Sequence, residues 1–310
     1  MTLTELRYLV ALAQQRHFGR AAEQCFVSQP TLSVAIKKLE DELGVQLFER
    51  RKLEATLTPV GQRIVEQAQR VLAEADTLKQ LAEVGRDQLQ GPLRLGAIYT
   101  IGPYLFPHLI PVLHERAPQM PLVIEENYTA RLSERLRQGE IDAALIALPF
   151  EEPGLVTLPL YDEPFVALIP GSHPWNARNS IDVADLAQET LLMLGSGHCF
   201  RTQVLEACPA CEQRLAQPAL AQTVEGTSLE TIRHMVASGM GVTVLPVTAA
   251  GADRYAQRLV SIRRFNPPEP HRRVALAWRA SFPRPRAIET LRQAILDSGL
   301  SGIQPVIGQS

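Results

Sequence analysis

The residues from Phe18 to Arg51 read "FGRAAEQCFVSQPTLSVAIKKLEDELGVQLFERR" and set the architecture of the first part of the chain. They predict two short helices separated by a break at "VSQP", where Ser28 is a favourable N-cap and Pro30 is tolerated in a first helical turn. Gly44 is a suitable residue to end the second helix. Apolar residues recur along that helix at helical spacing and predict a buried stripe: Leu32, Ile36, Leu39 and Leu43. A helix, a tight turn and a second capped helix predict a helix-turn-helix motif.

The second helix of such a motif enters the major groove of DNA, and its first residues meet the base edges. Candidates for these contacts lie at the start of the helix: Ser28, Gln29, Pro30, Thr31 and Ser33. Lys37 and Lys38 are expected within range of phosphates. A predicted hairpin over 45–61 carries Arg50, Arg51 and Lys52 at its tip, as expected of a wing on the flanking backbone or minor groove. A pair of lysines on a helix usually only marks a solvated face. The prediction of DNA binding therefore rests on the combination of the helix-turn-helix motif, the polar start of its second helix and the basic hairpin tip.

A long helix is predicted to begin at Thr58 and Pro59, by the same capping logic. Its apolar residues alternate spacings of four and three: Ile64, Ala68, Val71, Ala75, Leu78 and Ala82. This seam fits a helix packed on its own domain, but its length and its polar flanks favour a coiled coil between two copies. The segment "GRDQLQGP" breaks the helix near Gly91. The predicted domains are therefore 1–58, 59–90 and 91–310.

From Leu93 the pattern changes to strands alternating with helices, which predicts a parallel sheet with right-handed crossovers. The first run comprises strands at 93–98, 122–127 and 141–148 and helices at 102–118 and 130–140. A second run begins at "EPFVALIPGSHP", so two α/β lobes joined by crossing strands are expected. Ligands of such sheets bind in the crevice at the carboxyl ends of the strands. The tail over 299–310 is expected to be frayed.

Composition sets limits on the class of protein. The chain has 310 residues, 45% of them hydrophobic, which suffices for more than one domain. The net charge of −2 gives no global signal for nucleic acid. The sequence lacks both a signal-peptide pattern and an apolar run of the roughly 20 residues that span a bilayer, so we expect a cytoplasmic protein without a membrane partner. Its four cysteines are then expected to be reduced, and clustered ones indicate redox or metal chemistry.

Three of these cysteines lie within the segment "GHCFRTQVLEACPAC" at 197–211. Apolar residues at helical spacing predict one helical face: Phe200, Val204 and Leu205. If that part is helical, Cys199 and Cys208 lie roughly 13 Å apart at about 1.5 Å of rise per residue. A disulfide needs Cα atoms within about 7 Å, so the two thiols bond only if the helix unwinds. Such a pair suits a conformational redox switch.

Other interpretations of this segment stay open on the residues alone. Cys199 fits a small buried hydrophobe, and "CPAC" fits a dithiol acting on its own. A zinc site is a third possibility, because four residues of suitable types are clustered: His198, Cys199, Cys208 and Cys211. In the redox interpretation, His198 and Arg201 flank Cys199 and are expected to supply positive potential or hydrogen bonds.

The stretch 18–51, together with "LTPVG" at 57–61, closely resembles the LysR-type transcriptional regulators over residues 1 to about 85. The resemblance implies a winged helix-turn-helix and a linker helix, both α, joined to an α/β sensor domain with two lobes like those of periplasmic binding proteins. It also implies a homotetramer built from dimers on double-stranded promoter DNA, with RNA polymerase as a partner. No cofactor or metal is expected.

The segment "GHCFRTQVLEAC" resembles the peroxide-sensing members of that family. This resemblance implies hydrogen peroxide as the signal, Cys199 as the peroxidatic thiol, Cys208 as the resolving thiol, and a thiol reductant such as glutaredoxin or thioredoxin. It further implies antioxidant genes as targets. Residues implied near the peroxide are His198, Thr100 and Thr129, with Arg279 as a further candidate donor at a strand end.

Two positions depart from the family pattern. Thr202 stands where the family usually has an acid, for which a modest change in oxidation rate is expected, and Cys211 is an additional thiol. Cys211 is able to compete with Cys208 as the resolver or to bond with it, although a Cys199–Cys208 bond is expected first.

Two other classes of function compete with the peroxide-sensing regulator. A regulator of the same family that binds a small metabolite in the crevice is the main alternative. A thiol peroxidase is not expected, because an enzyme of that kind does not need the module "SQPTLSVAIKKLE".

Overall fold

The computed structural model describes residues 1–49, 55–83, 87–215, 223–251 and 259–306. The chain divides into two units, one containing the first four helices and the other containing the β-sheet.

The N-terminal unit is helical. Its helices are α1 (Leu3–Gln15), α2 (Phe18–Gln24), α3 (Gln29–Leu43) and α4 (Pro59–Glu83). Each early boundary has a local cause: Thr2 and Glu5 form a capping box on α1, Ser28 caps α3, and Gly44 ends α3 with a φ of 69°. A bridge between Phe48 and Leu57 begins the predicted hairpin. The break, the cap and the stop are therefore where the sequence predicts them, and α3 has the 15 residues that lie between the predicted cap and stop.

The apolar stripes of this unit differ in part from the prediction. Leu32, Ile36 and Leu39 are buried, but Leu43 is exposed at the end of α3, which corrects the fourth member of the predicted stripe. On α4 the side chains that pack toward α1 are Val65, Ala68 and Leu72. The predicted seam lies only partly on that face, and its member Leu78 is 69% exposed. The side chain of Ala82 and the predicted wing-tip residues Arg50, Arg51 and Lys52 lie outside the described residues.

The second unit is an α/β domain. Its strands are β1 (Leu93–Ile98), β2 (Leu122–Asn127), β3 (Ala143–Ala147), β4 (Leu155–Pro170), β5 (Ser180–Ile181), β6 (Leu191–Leu194), β7 (Thr223–Gly226), β8 (Val242–Pro246), β9 (Val260–Phe265), β10 (His271–Arg279) and β11 (Gln304–Pro305). Its helices are α5 (Gly102–Arg116), α6 (Thr129–Gln138), α7 (Cys199–Ala207), α8 (Pro209–Leu215), α9 (Leu229–Ala237), α10 (Val247–Ala250) and α11 (Pro285–Leu296).

The strand order creates two lobes that share one long strand. The order is β2-β1-β3-β10-β4 in the first lobe and continues as β4-β8-β6-β7 in the second, where β9 also pairs with β4. Each lobe has its own apolar core. Strand β4, 16 residues long, crosses from one lobe to the other, as the sequence predicts. No helix in the described part of the chain is long and apolar enough to cross a bilayer.

The sheet is mixed rather than parallel throughout. β1 pairs in parallel with β2 and β3, but β10 runs antiparallel to both β3 and β4. Parallel pairing requires a crossover, usually a helix. No such helix precedes β10, which follows β9 after only a short connection. The tail also differs from the prediction, because Gln304 and Pro305 pair with β4.

Candidate functional site

A small recess lies at the carboxyl ends of β1 and β2, where the sheet rule places ligands. It encloses about 190 Å³ of empty space that is continuous with solvent. Three chain segments line it: 98–100 after β1, 127–129 after β2, and 197–200 at the start of α7. The structure therefore brings together four residues that the sequence nominates: Thr100, Thr129, His198 and Cys199.

Cys199 is the first residue of α7, and its thiol is half-buried and unbonded. The first peptide N–H groups of a helix lack intrahelical partners and favour negative charge nearby. The helix start thus supplies positive potential at the sulfur. Phe200, the next residue, is buried edge-on against Phe165 with ring centroids 5.1 Å apart, which anchors the first turn of α7 in the second lobe.

His198 is the N-cap residue of α7 and is buried between two tyrosines. Its ring centroid lies 4.8 Å from that of Tyr128 and 5.9 Å from that of Tyr99. Burial lowers the pKa of His198 below its ordinary value of 6.5. The ring is therefore mostly neutral at physiological pH, which favours a hydrogen bond, the second of the two roles expected of His198, over a supply of positive potential. A neutral imidazole instead accepts or donates a hydrogen bond beside the sulfur.

The lowered pKa of His198 predicts a pH dependence of stability. The unfolded chain binds a proton at about pH 6.5, whereas the folded chain does so only at lower pH. The stabilising effect of the neutral ring is thus complete above pH 6.5 and is lost as the pH falls from 6.5 through the folded pKa. NMR titration of the ring should give a midpoint below 6.5. In His198→Asn, the free energy of unfolding measured with denaturant should lack the part of its pH dependence below pH 6.5 that His198 causes. A midpoint above 6.5 would contradict the burial.

Thr100 is held by an arginine that sequence reasoning missed. Arg272 donates from Nη1 to Thr100 Oγ1 over 2.7 Å and from Nη2 to the Thr100 carbonyl oxygen over 2.8 Å. Its Nε donates to Glu163 Oε2 over 2.8 Å, and both ionic side chains are buried. Because Thr100 Oγ1 accepts from Arg272, its own hydrogen is free to be donated into the recess. Burial alternates only at the start of β10, where Arg272 is buried between the exposed residues His271 and Arg273.

Thr129 supplies a second polar atom to the recess. It is the first residue of α6, and its Oγ1 is buried without a hydrogen-bond partner among the described residues. A buried hydroxyl without a partner costs free energy, so this atom is suited to a small polar ligand. Two hydroxyls and one imidazole therefore belong to residues that line the same recess as Cys199.

Two predicted site residues lie elsewhere, and their predicted placement is wrong. Arg201 donates from Nη1 to the Leu194 carbonyl over 2.9 Å and to Glu225 Oε1 over 2.8 Å, because two residues of helix turn it away from the recess. Arg279 donates to the Leu136 and Ile141 carbonyls. Its strand is antiparallel to β3, which puts the carboxyl end of β10 at the opposite edge of the sheet.

Cys208 and Cys211 form a disulfide with Cα atoms 5.3 Å apart. Cys208 ends α7 and Cys211 lies in α8, and the two are only 1% and 3% exposed. The helix α7, nine residues long, separates Cys208 from Cys199, which corresponds to roughly 13 Å. The four candidate zinc ligands are therefore not assembled, and no metal-binding cluster occurs among the described residues. Thr202 is exposed on α7.

The start of α3 forms the candidate nucleic-acid interface. Gln29, Pro30, Thr31, Ser33 and Lys37 are exposed there. Ser28 accepts from the Thr31 amide over 3.3 Å, and the two hydroxyls are 2.8 Å apart, so Ser28 serves as the cap. Lys38 Nζ lies 3.0 Å from Glu5 Oε1, but its side chain is 66% exposed, so its contact with a phosphate stays a prediction. Sequence reasoning missed Phe26, which is 96% exposed in the turn.

Family comparisons agree with both units. Residues 3–62 match the bacterial regulatory helix-turn-helix domain of the LysR family, and residues 86–299 match the LysR substrate binding domain. Over 296 residues the chain is 43% identical to the DNA-binding transcriptional dual regulator OxyR of Escherichia coli K12, covering 95% of each chain. It is 36% identical to a hydrogen peroxide-inducible genes activator of Haemophilus influenzae, covering 96% of this chain and 97% of the relative.

Solved structures show the same likeness. Full-length OxyR of Pseudomonas aeruginosa, carrying a cysteine-to-aspartate substitution, is 58% identical, with a TM-score of 0.81 over 100% of this chain and 99% of its own. A cysteine-to-serine variant of Corynebacterium glutamicum OxyR, with hydrogen peroxide bound, is 32% identical, with a TM-score of 0.63 over 96% and 92% of the two chains.

Proposed function

Because the chain belongs to the LysR family of transcriptional regulators, within its OxyR group, we propose that it is a DNA-binding regulator activated by hydrogen peroxide. One observation carries the proposal: an unbonded cysteine at a helix start faces a small recess lined by two threonine hydroxyls and an imidazole. The peroxide ligand named for the Corynebacterium relative supports it. The protein is then a regulator rather than an enzyme, and works in the cytoplasm, where its DNA lies.

The proposed reaction begins at Cys199. Its thiolate attacks one peroxide oxygen, the O–O bond breaks, and the products are a sulfenic acid and hydroxide, which takes up a proton. The leaving oxygen accumulates negative charge, so donors fixed around it lower the barrier. Thr100 and Thr129 carry hydroxyl hydrogens for that purpose, and Arg272 keeps Thr100 in place. His198 is suited to relay the proton, because its ring is neutral.

The second step joins Cys199 to Cys208. The Cys208 thiol attacks the sulfenic sulfur, a disulfide forms, and water leaves. About 13 Å of helix separates the two residues, so α7 has to unwind before the bond closes. The protein that responds to peroxide must carry Cys208 as a thiol, since Cys208 bonded to Cys211 cannot resolve the sulfenic acid. A thiol reductant such as glutaredoxin or thioredoxin is the proposed source of that state.

The size of the recess separates this proposal from a metabolite-binding regulator. Pockets for metabolite-sized ligands are large clefts lined mostly by apolar side chains. The recess at Cys199 is small, and its lining includes four groups fit for a peroxide-sized molecule. No observation on the described residues favours a larger co-inducer.

The proposed assembly is a dimer through α4, and two dimers form a tetramer on double-stranded promoter DNA that recruits RNA polymerase. A groove along α4 is lined by apolar residues, among them Val60 and Val71, and by polar and charged ones. Ile64 also lines it but packs partly against the core of its own unit. Leu78, further along the helix, is exposed. Apolar residues exposed along a helix at heptad spacing favour burial against the same helix of a second copy.

Peroxide footprinting tests the proposed function. The purified, reduced protein is mixed with one equivalent of hydrogen peroxide, and Cys199 alkylation and the DNA footprint are measured together. We expect loss of Cys199 alkylation and a changed footprint. An unchanged footprint, with a strong effect of a small carboxylic acid instead, would overturn the proposal in favour of the metabolite regulator.

The DNA interface makes a separate prediction for Gln29. An amide side chain paired with adenine contributes about 1–3 kcal/mol of discrimination, so Gln29→Ala should weaken binding roughly 5- to 150-fold at a site selected by the protein from random DNA. Its affinity for unrelated DNA should be unchanged. Lys37→Ala is the matched control: it should weaken binding to all sequences and lower the salt dependence by about one ion. Equal losses on both DNAs for Gln29→Ala would exclude a base contact.

A further inference from the structure

We propose that Cys211 is a second resolving thiol. It forms a disulfide with Cys208 and thereby breaks the Cys199–Cys208 disulfide, so that each molecule ends its own activation without a reductant. The inference rests on the proposed function, because it starts from the Cys199–Cys208 bond. It begins from one observation: Cys208 is bonded to Cys211 while Cys199 is free and α7 is fully helical.

Two disulfides compete for the Cys208 sulfur, and each one fits a different local fold. The Cys208–Cys211 bond joins the residue that ends α7 to the first turn of α8, so it leaves both helices intact. The Cys199–Cys208 bond spans the whole of α7 and excludes that helix. Only one of the two bonds exists at a time, because both use Cys208.

The exchange between them is balanced without any further reactant. The Cys211 thiolate attacks the Cys208 sulfur, the Cys208–Cys211 bond forms, the Cys199–Cys208 bond breaks, and Cys199 leaves as a thiolate. The number of disulfides is unchanged, and the two oxidising equivalents that came from hydrogen peroxide pass from the Cys199–Cys208 pair to the Cys208–Cys211 pair. Thiol–disulfide exchange proceeds in this way whenever the attacking thiolate reaches the bonded sulfur.

The fold determines the direction of the exchange. When Cys199 is released, α7 re-forms and Phe200 and Val204 return to the core of the second lobe, where both are buried. The smaller loop adds to this preference, because closing about four residues rather than about ten is favoured roughly fourfold by chain entropy. The Cys208–Cys211 bond is therefore the stable product.

The product is a refractory sensor. Cys199 is again an unbonded thiol at the recess, but Cys208 is not available to resolve a second sulfenic acid. A second equivalent of peroxide then leaves Cys199 as a sulfenic acid, and each further equivalent oxidises it one step more, to the sulfinic and then the sulfonic acid. Because the Cys208–Cys211 pair is buried, a reductant reaches it only slowly, and the chain remains insensitive until it is reduced.

A quenched time course tests the relay. The reduced full-length protein receives one equivalent of hydrogen peroxide, is acid-quenched at intervals, alkylated and mapped by peptides. We expect the Cys199–Cys208 peptide to rise and then fall, while the Cys208–Cys211 peptide accumulates and Cys199 alkylation recovers to the level of Cys25. In Cys211→Ala the Cys199–Cys208 peptide should persist at least tenfold longer, whereas Cys25→Ser should behave as wild type.

The outcomes separate the two proposals. A Cys199–Cys208 bond that persists equally in wild type and Cys211→Ala overturns the relay and leaves the proposed function standing. A Cys199–Cys208 bond that forms in neither protein overturns both. If Cys211→Ala does not fold, wild type alone still tests the relay. The Cys199–Cys208 peptide must rise and then fall, and a sulfenic-acid reagent must trap the Cys199 sulfenic acid that a second equivalent of peroxide produces.

Discussion

Replacing Cys199 by serine should abolish the response to hydrogen peroxide. The serine hydroxyl is not ionised at neutral pH and is a poor nucleophile, so the O–O bond meets no thiolate in the recess. We expect the second-order rate of protein oxidation to fall by at least about a hundredfold, the size of effect seen when a fixed transition-state contact is lost. The DNA footprint should remain that of the reduced protein at any peroxide concentration that leaves wild type intact.

The matched control for that variant is Cys25→Ser. Cys25 is also an unbonded, half-buried thiol, but it lies at the end of α2, and burial raises the pKa of its thiol. Its loss should leave the oxidation rate and the peroxide-induced footprint change within about twofold of wild type. If Cys25→Ser instead removed the response and Cys199→Ser kept it, the recess would not be the sensor.

Replacing Arg272 by leucine should destabilise the second unit by about 3–5 kcal/mol, because it leaves the buried Glu163 carboxylate without its ionic partner. The midpoint of denaturant unfolding measures this loss. Arg273→Leu is the matched control: the same residue type in the next position pairs with Asp162 at the surface, and such pairs contribute about 0–1 kcal/mol. Equal losses in the two variants would show that the buried pair has no special role.

A double variant separates stability from positioning. Removing both partners, in Arg272→Leu with Glu163→Leu, should recover most of the stability, because no buried charge is left unpaired. Thr100 still loses the two hydrogen bonds that hold it, so the oxidation rate of Cys199 should stay at least about tenfold below wild type. A rate that recovers together with stability would contradict the positioning role.

The architecture followed from local signals in the sequence. Ser28 and Gly44 have side-chain and backbone preferences that mark the ends of α3, and β1 and β2 have the bounds that the sequence predicts. The position of the recess was predictable in part from the same signals. Thr100 and Thr129 each come soon after a strand and therefore lie at the same edge of the sheet.

What the sequence did not reveal depends on long-range partners. Arg272 reads as one of two adjacent arginines, and only the pairing of β10 with β4 brings it to Glu163 and buries both. The predicted placement of Arg279 was wrong for the same reason, because the sequence of a strand does not show at which edge of a mixed sheet its end lies. Leu43 was predicted to be buried but is exposed at the end of α3, and Leu78 of the predicted seam is exposed in the single chain.

The central claim is that the Cys199–Cys208 bond and helix α7 exclude each other. Hydrogen exchange of the α7 amides in full-length Cys211→Ala, before and after one equivalent of peroxide, tests it most directly. We expect exchange across 199–207 to accelerate at least about a hundredfold once the bond has formed, while α9 keeps its protection as the internal reference. A quantitative Cys199–Cys208 bond with full protection of α7 would contradict the account.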